Sequence, residues 1–258
     1  MRTKRAAFTV AVCALLFSLG LAIFTDITFA QKAKKKKRKK SKSTIQLAPP
    51  SNFMPTMTGV KGTVKYYFFP TAVGAKWTMR TIQMLLDQKG KLARADTIFT
   101  ESQVVDSNRF SLQRLPLMVT SDTSYKDTGV GIRSESVYYV DDSVAMTVFN
   151  NSITNEDNRF FLVAPLAFRN AWHEKAEDTT VTAIAGFVDS VVTPLGRFDS
   201  VLVTLTELQN IDLRKYYVPG HGIVKTIFRS AGPNGRGLVI VTTEMIAFKL
   251  PEDEKKVK

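Results

Sequence analysis

The chain has 258 residues, 36 of them Lys or Arg and 23 Asp or Glu, giving a formal net charge of +13, with a single cysteine. One cysteine excludes an internal disulfide framework and a cysteine-rich metal site, and a body of ~190 residues is large enough to build its core without such staples. The charge is concentrated at one end, which removes the inference from a basic pI to nucleic-acid binding.

The first thirty residues read as an export signal. Arg2, Lys4 and Arg5 form a basic start, residues 6–24 are apolar and uncharged, and Thr28-Phe29-Ala30 offers small residues at a cleavage position that would leave Gln31 first. Cys13 lies within the apolar stretch behind Val12, where a lipoprotein signal requires a small residue. The mature chain then contains no cysteine. Immediately afterwards Lys32, Lys34, Lys35, Lys36, Lys37, Arg38, Lys39, Lys40 and Lys42 place nine positive charges in eleven residues. Without this run and the +2 carried by residues 1–30, the rest of the chain is close to neutral, at about +2.

Two readings fit the Lys-rich tract. It is a solvated linker, since like charges repel and nothing in it can form a core. Alternatively, Lys34 to Lys40 attach the protein to anionic lipid or an anionic envelope polymer, at up to about 1 kcal/mol per basic residue near such a surface. No aromatic residue interleaves the lysines, so stacked bases have no platform and no nucleic-acid partner is expected. The tract also disfavours translocation of its own flank. An uncleaved N-terminal anchor is therefore the alternative to export. Residues 31–59, with Pro49, Pro50 and Pro55, complete a linker, and residues 251–258 form a charged tail.

Between residues 60 and 250 short apolar or alternating runs are separated by turn residues. The pattern predicts strands over 64–69, 77–86, 95–100, 110–115, 136–140, 143–149, 159–163, 179–185, 188–193, 200–208, 223–229 and 238–248. Turns are expected at Asp87-Gln88-Lys89-Gly90, Asp141-Asp142, Pro194-Leu195-Gly196 and Gly232-Pro233-Asn234-Gly235. Strands at this spacing without helices between them predict a mainly β domain, a curved antiparallel meander or an open half-barrel. Pro70 precedes Trp77 by seven residues and Pro165 precedes Trp172 by seven, ninety-five residues further on. This faint echo fits either chance or a duplicated half-sheet, and both tryptophans are expected core anchors.

Three blocks carry a family resemblance. They are Tyr67-Phe68-Phe69-Pro70 with Gly74 and Trp77, then residues 192–201 around Pro194-Leu195-Gly196-Arg197-Phe198, then Tyr216-Tyr217-Val218-Pro219-Gly220-His221-Gly222-Ile223-Val224-Lys225. Together they resemble an exported bacterial group of unknown function, the TapB-like family. Leu195 stands where that group has a small residue and His221 where it commonly has an aliphatic one. The resemblance implies a curved sheet similar to the half-barrels of Lol-type lipoprotein carriers, holding a hydrophobic ligand on its concave side. It implies no role for His221.

Catalytic constellations are sparse. His173 and His221 are the two histidines, so a three-histidine metal site is impossible. There is no Gly-x-Ser-x-Gly elbow and no Gly-x-x-x-x-Gly-Lys phosphate loop. Asn151, Asn155, Glu156 and Asp157 approach a calcium loop only loosely, Lys225 reads as a strand-edge charge, and no metal or other cofactor is expected. The leading expectation is a non-enzymatic exported domain that binds lipid, a lipoprotein or another envelope component. Tyr66, Phe68, Tyr138 and Tyr216 are its candidate contacts. The alternatives are an assembly protein attached peripherally to the membrane through its basic tract and, third, a hydrolase using His221.

Overall fold

The computed structural model describes residues 62–126, 129, 131–175, 181–208, 211–232 and 237–251. The chain divides after Gln46, and everything below concerns the second unit, Leu47–Lys258. The expected signal, basic tract and linker, the turn residues 233–235 and the tail after Pro251 lie outside the described residues.

A four-residue helix, α1 (Val64–Tyr67), is followed by twelve strands. They are β1 (Lys76–Leu86), β2 (Leu92–Phe110), β3 (Pro116–Tyr125), β4 (Ile132–Val140), β5 (Val144–Thr147) and β6 (Phe160–Val163), then β7 (Ala171–His173), β8 (Val181–Thr193), β9 (Gly196–Leu208), β10 (Ile211–Val218), β11 (Gly222–Ala231) and β12 (Leu238–Lys249). All pair antiparallel in one sheet of order β6-β5-β4-β3-β2-β1-β12-β11-β10-β9-β8-β7. Every strand therefore lies beside its neighbours in sequence, and the first and last pair in the middle, Trp77 opposite Phe248 and Thr81 opposite Thr243. The expected mainly β meander is present, curled further than a half-barrel so that its two edges, β6 and β7, meet.

The seam between those edges is closed by a different chemistry from the rest. One backbone bond crosses it, from the Phe160 N–H to the Glu174 carbonyl at 2.8 Å. Three carbonyls of β6 accept from side chains: Phe160 from Trp172 Nε1 (3.4 Å), Phe161 from the Tyr217 hydroxyl (3.2 Å) and Val163 from Asn170 Nδ2 (2.8 Å). An edge strand exposes a row of unpaired backbone groups that invites foreign strands, and here indole, phenol and amide donors occupy it. The expected core role of Trp172 is met, with the seam bond added.

Trp77 and Trp172 are each the second residue of a strand, β1 and β7, and each opens a run of six. That is the layout a duplicated half-sheet produces, although β1 has eleven residues and β7 three. The expected strands 179–185 and 188–193 fall, over their described residues from 181 on, in the single β8, which shifts register between Ile184 and Gly186. A glycine-marked bulge kinks a strand without ending it.

Two expected strands are corrected. Residues 64–69 begin as α1: Val64 and Tyr67 are buried and Lys65 and Tyr66 exposed, the i, i+3 pairing of a helical turn. A short apolar run does not distinguish helix from strand, which is why the residue types misled. Of residues 110–115, Phe110 ends β2 and 111–115 form the β2–β3 turn, with Arg114 at φ 61° and the Ser111 N–H bonded to the Leu115 carbonyl at 2.9 Å. Strands β3 and β10 were not expected. Thr120, Asp122 and Ser124 fill the buried face of β3, and Lys215 sits on that of β10, which hides the usual apolar alternation.

Candidate functional site

The three sequence blocks converge on one end of the sheet. The Pro219-Gly220-His221 turn joins β10 to β11, with Gly220 at φ 72° and Gly222 at φ 81°. The Gly220 N–H donates to the Tyr66 carbonyl at 2.8 Å, and the Val64 N–H donates to the Asp142 carbonyl at 3.2 Å. A Cβ at Gly222 would lie 2.6 Å from Phe69 Cδ1 and 2.8 Å from the Phe69 backbone nitrogen. The glycine is therefore required twice, for its dihedral and for the close passage of the α1 segment. Phe69 in turn stacks flat on Trp77, with centroids 4.4 Å apart. Phe198, from the second block, meets His221 edge-on at 5.0 Å, and the Phe248 ring packs against the same imidazole at 4.4 Å.

Of the four expected contact residues, the structure brings two together. Phe68 is 1% exposed and packs against Tyr138 and Phe161 with centroids 5.6 and 5.8 Å apart. Tyr138 and Phe161 are 6.0 Å from each other. Tyr66 is 51% exposed and meets Tyr67 edge-on. Tyr216 lies on the other face of β10 from Lys215 and Tyr217, with Val203 and Lys225 as its cross-strand partners. Lys225 itself donates to Glu244 at 2.7 Å, and Arg80 bonds the same carboxylate at 3.2 Å. Those two cations outweigh burial and hold the Glu244 carboxyl below its ordinary pKa.

Beside the aromatic cluster lies a polar group that the sequence reading missed. Lys215 and Glu174 are 1% and 4% exposed and form an ion pair at 2.8 Å. Thr182 and Thr206 donate to Glu174 Oε1 at 3.0 and 3.5 Å, and their two hydroxyls also contact each other. Lys215 Nζ also approaches the Phe161 ring at 5.5 Å, so one residue borders both the aromatic and the ionic groups. In the ladder, Lys215 stands opposite Thr204 on β9 and Thr226 on β11, and Thr226 continues through Thr243 to Thr81. Opposed residues share a face, so these five polar side chains form one level across five strands. Thr81 and Thr243 bond each other at 2.9 Å. The hydroxyls of Thr204 and Thr226 are buried without a hydrogen-bond partner among the described residues, a deficit of about 1–3 kcal/mol each. Thr204 lies beside the Tyr217 phenol, outside hydrogen-bonding geometry. Burial, then the Glu174 charge, push that phenol far above its ordinary pKa, and Thr204 opposes the shift.

A second interior carboxylate, Asp122, accepts from Ser136 Oγ at 2.7 Å and Thr120 Oγ1 at 3.3 Å. Burial raises the pKa of the adjacent Tyr138, and the charge of Asp122 adds to that. The period-2 rule would have exposed Lys215 as an inward cation between Leu213 and Tyr217, had residues 211–218 been read as a strand. Glu174 carries no such signal.

The histidines stand apart from these groups. His221 Nδ1 contacts the Pro219 carbonyl at 3.1 Å, and His173 is exposed. No serine or carboxylate is hydrogen-bonded to His221 among the described residues. No three His, Asp or Glu side chains converge as metal ligands among them either. In the 149–158 loop, Asn155 accepts from the Asp157 N–H, Asn158 ties Phe149 to Ser152, and Asp157 pairs with Lys175 at 2.6 Å.

No family model and no curated protein sequence matches the chain. Among solved structures it is similar to a candidate lipoprotein of Parabacteroides distasonis, at 16% identity and a TM-score of 0.41, covering 74% of this chain and 100% of that one. It is also similar to a candidate exported protein with a YmcC-like fold from Bacteroides fragilis, at 16% identity and a TM-score of 0.44, covering 72% and 100%. Likeness at that level says nothing of this chain's activity.

Proposed function

We propose that the protein is an exported, non-enzymatic β domain that holds a hydrophobic component of the cell envelope, a lipid or the lipid part of a lipoprotein. The observation that carries this reading is the cluster of Phe68, Tyr138 and Phe161, set against Lys215 and Glu174 within a curled sheet. Ligand sites of this kind are mostly apolar with a few fixed polar groups. Export rests on the basic start, apolar stretch and small-residue cleavage position of residues 1–30, and on the likeness of three sequence blocks to the TapB-like exported family. A binding rather than catalytic role is supported by the surroundings of His221, two aromatic rings and a carbonyl, which offer it no nucleophile.

The test is native mass spectrometry, with lipid extraction, on the full chain recovered from an exporting host. A stoichiometric lipid adduct supports the reading, and its loss in Tyr138→Ala with the fold intact places the site. A ligand-free mass from a host whose envelope lipids are all represented argues against it. A second reading is favoured by the nine charges within residues 32–42, namely peripheral attachment to an anionic envelope surface through Lys34 to Lys40. The two readings are compatible, since the tract and the sheet interior act on different parts of a membrane component.

A further inference from the structure

Two loops bonded to each other hold large apolar side chains in solvent. Phe110 and Leu112, at the β2–β3 turn, are 61% and 74% exposed, and Phe149, at the start of the β5–β6 loop, is 45% exposed. The Leu112 N–H donates to the Asn151 carbonyl at 2.8 Å, and Gln113 Oε1 accepts from the Ile153 N–H at 3.1 Å. Asn150 and Asn151 stand at φ 53° and 54°, and the Ser152 N–H closes onto the Phe149 carbonyl at 3.0 Å, a tight reversal with both central residues at positive φ. Behind the loops, Ile153 packs on a small buried cluster of Leu117, Met146 and Val148. The loops are thus fixed on a core of their own, and Phe110, Leu112 and Phe149 are left outside it. Exposed apolar groups gathered on adjoining loops mark an interaction surface.

The chemistry of these loops fits a lipid surface. Residues 110–116 and 149–154 carry one charge, that of Arg114, whose exposed side chain forms no ion pair among the described residues. No carboxylate in the two segments opposes an anionic headgroup. The N–H groups of Leu112, Leu115, Phe149, Ser152 and Ile153 donate within the loops. Backbone groups already paired enter a low dielectric without losing hydrogen bonds to water. Three projecting side chains also suit a fluid interface, which needs no pocket shaped for each. We infer that Phe110, Leu112 and Phe149 form a tip that inserts into the interface of an anionic bilayer, with Arg114 at the headgroups. This rests on the second reading above, peripheral attachment through Lys34 to Lys40, and deepens it. The nine charges of residues 32–42 supply attraction at long range, and the tip supplies apolar contact once the surface is reached. Stable attachment takes two weak signals acting together, so neither holds the protein firmly alone.

The test uses the full chain from an exporting host and vesicles of phosphatidylserine and phosphatidylcholine in equal parts. In sedimentation at about 0.1 M salt, F110S/L112S is expected to bind about tenfold more weakly than the wild type, with its circular dichroism unchanged. If that variant does not fold, Leu112→Ser alone takes its place, with a loss of about threefold. Leu112→Trp reports insertion directly, because Trp77 and Trp172 are buried. Its added emission is expected to shift to the blue on these vesicles and to be quenched when the acyl chains carry bromine. Wild-type affinity in F110S/L112S, or unshifted and unquenched emission from bound L112W, overturns the inference. If binding is lost when Lys34 to Lys40 are replaced by Gln but kept in F110S/L112S, the tip fails and attachment through the tract stands. If both tip variants behave as expected while the Gln variant binds as the wild type does, the tip stands and the tract reading fails. If the wild type does not bind the vesicles, both fail. Self-association of the wild type that F110S/L112S abolishes, without vesicle binding, would make the loops an interface between copies and overturn the inference.

Discussion

At the scale of single residues, the Lys215–Glu174 pair and Gly222 carry the clearest consequences. Removing one member of a buried pair leaves the other charge unpartnered. Lys215→Met alone is therefore expected to destabilise the fold by about 3–5 kcal/mol, and the double variant K215M/E174M by much less. Urea denaturation of the three proteins checks this, and a double variant as unstable as K215M would refute the pairing argument. Gly222→Ala puts a Cβ against the Phe69 backbone at a positive φ, so a loss of more than about 1 kcal/mol is expected from the same measurement. Glu244 gives the pH dependence. Its folded pKa lies below the ordinary value of about 4.3, so its stabilising contribution is fully present above that pH. The contribution is lost as pH falls through the depressed folded value. Urea midpoints of the wild type and E244Q should accordingly differ at neutral pH and converge in acid.

At the scale of elements, the seam between β6 and β7 and the α1 segment set the form of the sheet. Tyr217→Phe deletes the donor to the Phe161 carbonyl while keeping the ring, and Trp172→Phe deletes the donor to the Phe160 carbonyl while replacing the indole by a smaller phenyl. Each is expected to cost about 1–3 kcal/mol where the carbonyl is left buried and unpaired. Amide exchange in residues 160–163 should accelerate more than in β1 or β12, which are paired on both sides. Uniform acceleration across all strands would mean that the seam is no weaker than the rest. These features also show what the residues revealed in advance. The β1, β9, β11 and β12 runs alternate or are continuously apolar and were legible. Strands β3 and β10 were not, because their buried faces carry Thr120, Asp122, Ser124 and Lys215 in place of apolar residues. The residues that hid those strands from the pattern are the ones that build the polar interior. Of the four expected contact residues, Phe68 and Tyr138 pack on each other, Tyr66 is exposed on the outer side of its helical turn, and Tyr216 lies on the other face of β10 from Lys215.

At the scale of the whole molecule, charge and shape separate along the chain. Residues 32–42 carry nine positive charges and the body about +2, so any long-range attraction to an anionic surface would act through the tract. Attraction of this kind is screened over about 10 Å at 0.1 M salt and about 3 Å at 1 M. Lipid held inside the sheet by apolar contact and hydrogen bonds is not screened in this way. Binding to vesicles containing phosphatidylserine should therefore fall steeply between 0.1 and 1 M salt, and vanish when Lys34, Lys35, Lys36, Lys37, Arg38, Lys39 and Lys40 are replaced by Gln. Lipid retained by the same protein through purification should survive both treatments. Sedimentation with vesicles reads the first quantity and lipid extraction the second. If the two fell together, the tract and the interior would form one site, and the division of labour between them would be wrong. If vesicle binding outlasted both salt and substitution, the attachment would be apolar. The exposed side chains of Phe110, Leu112 and Phe149 would then be the first to replace.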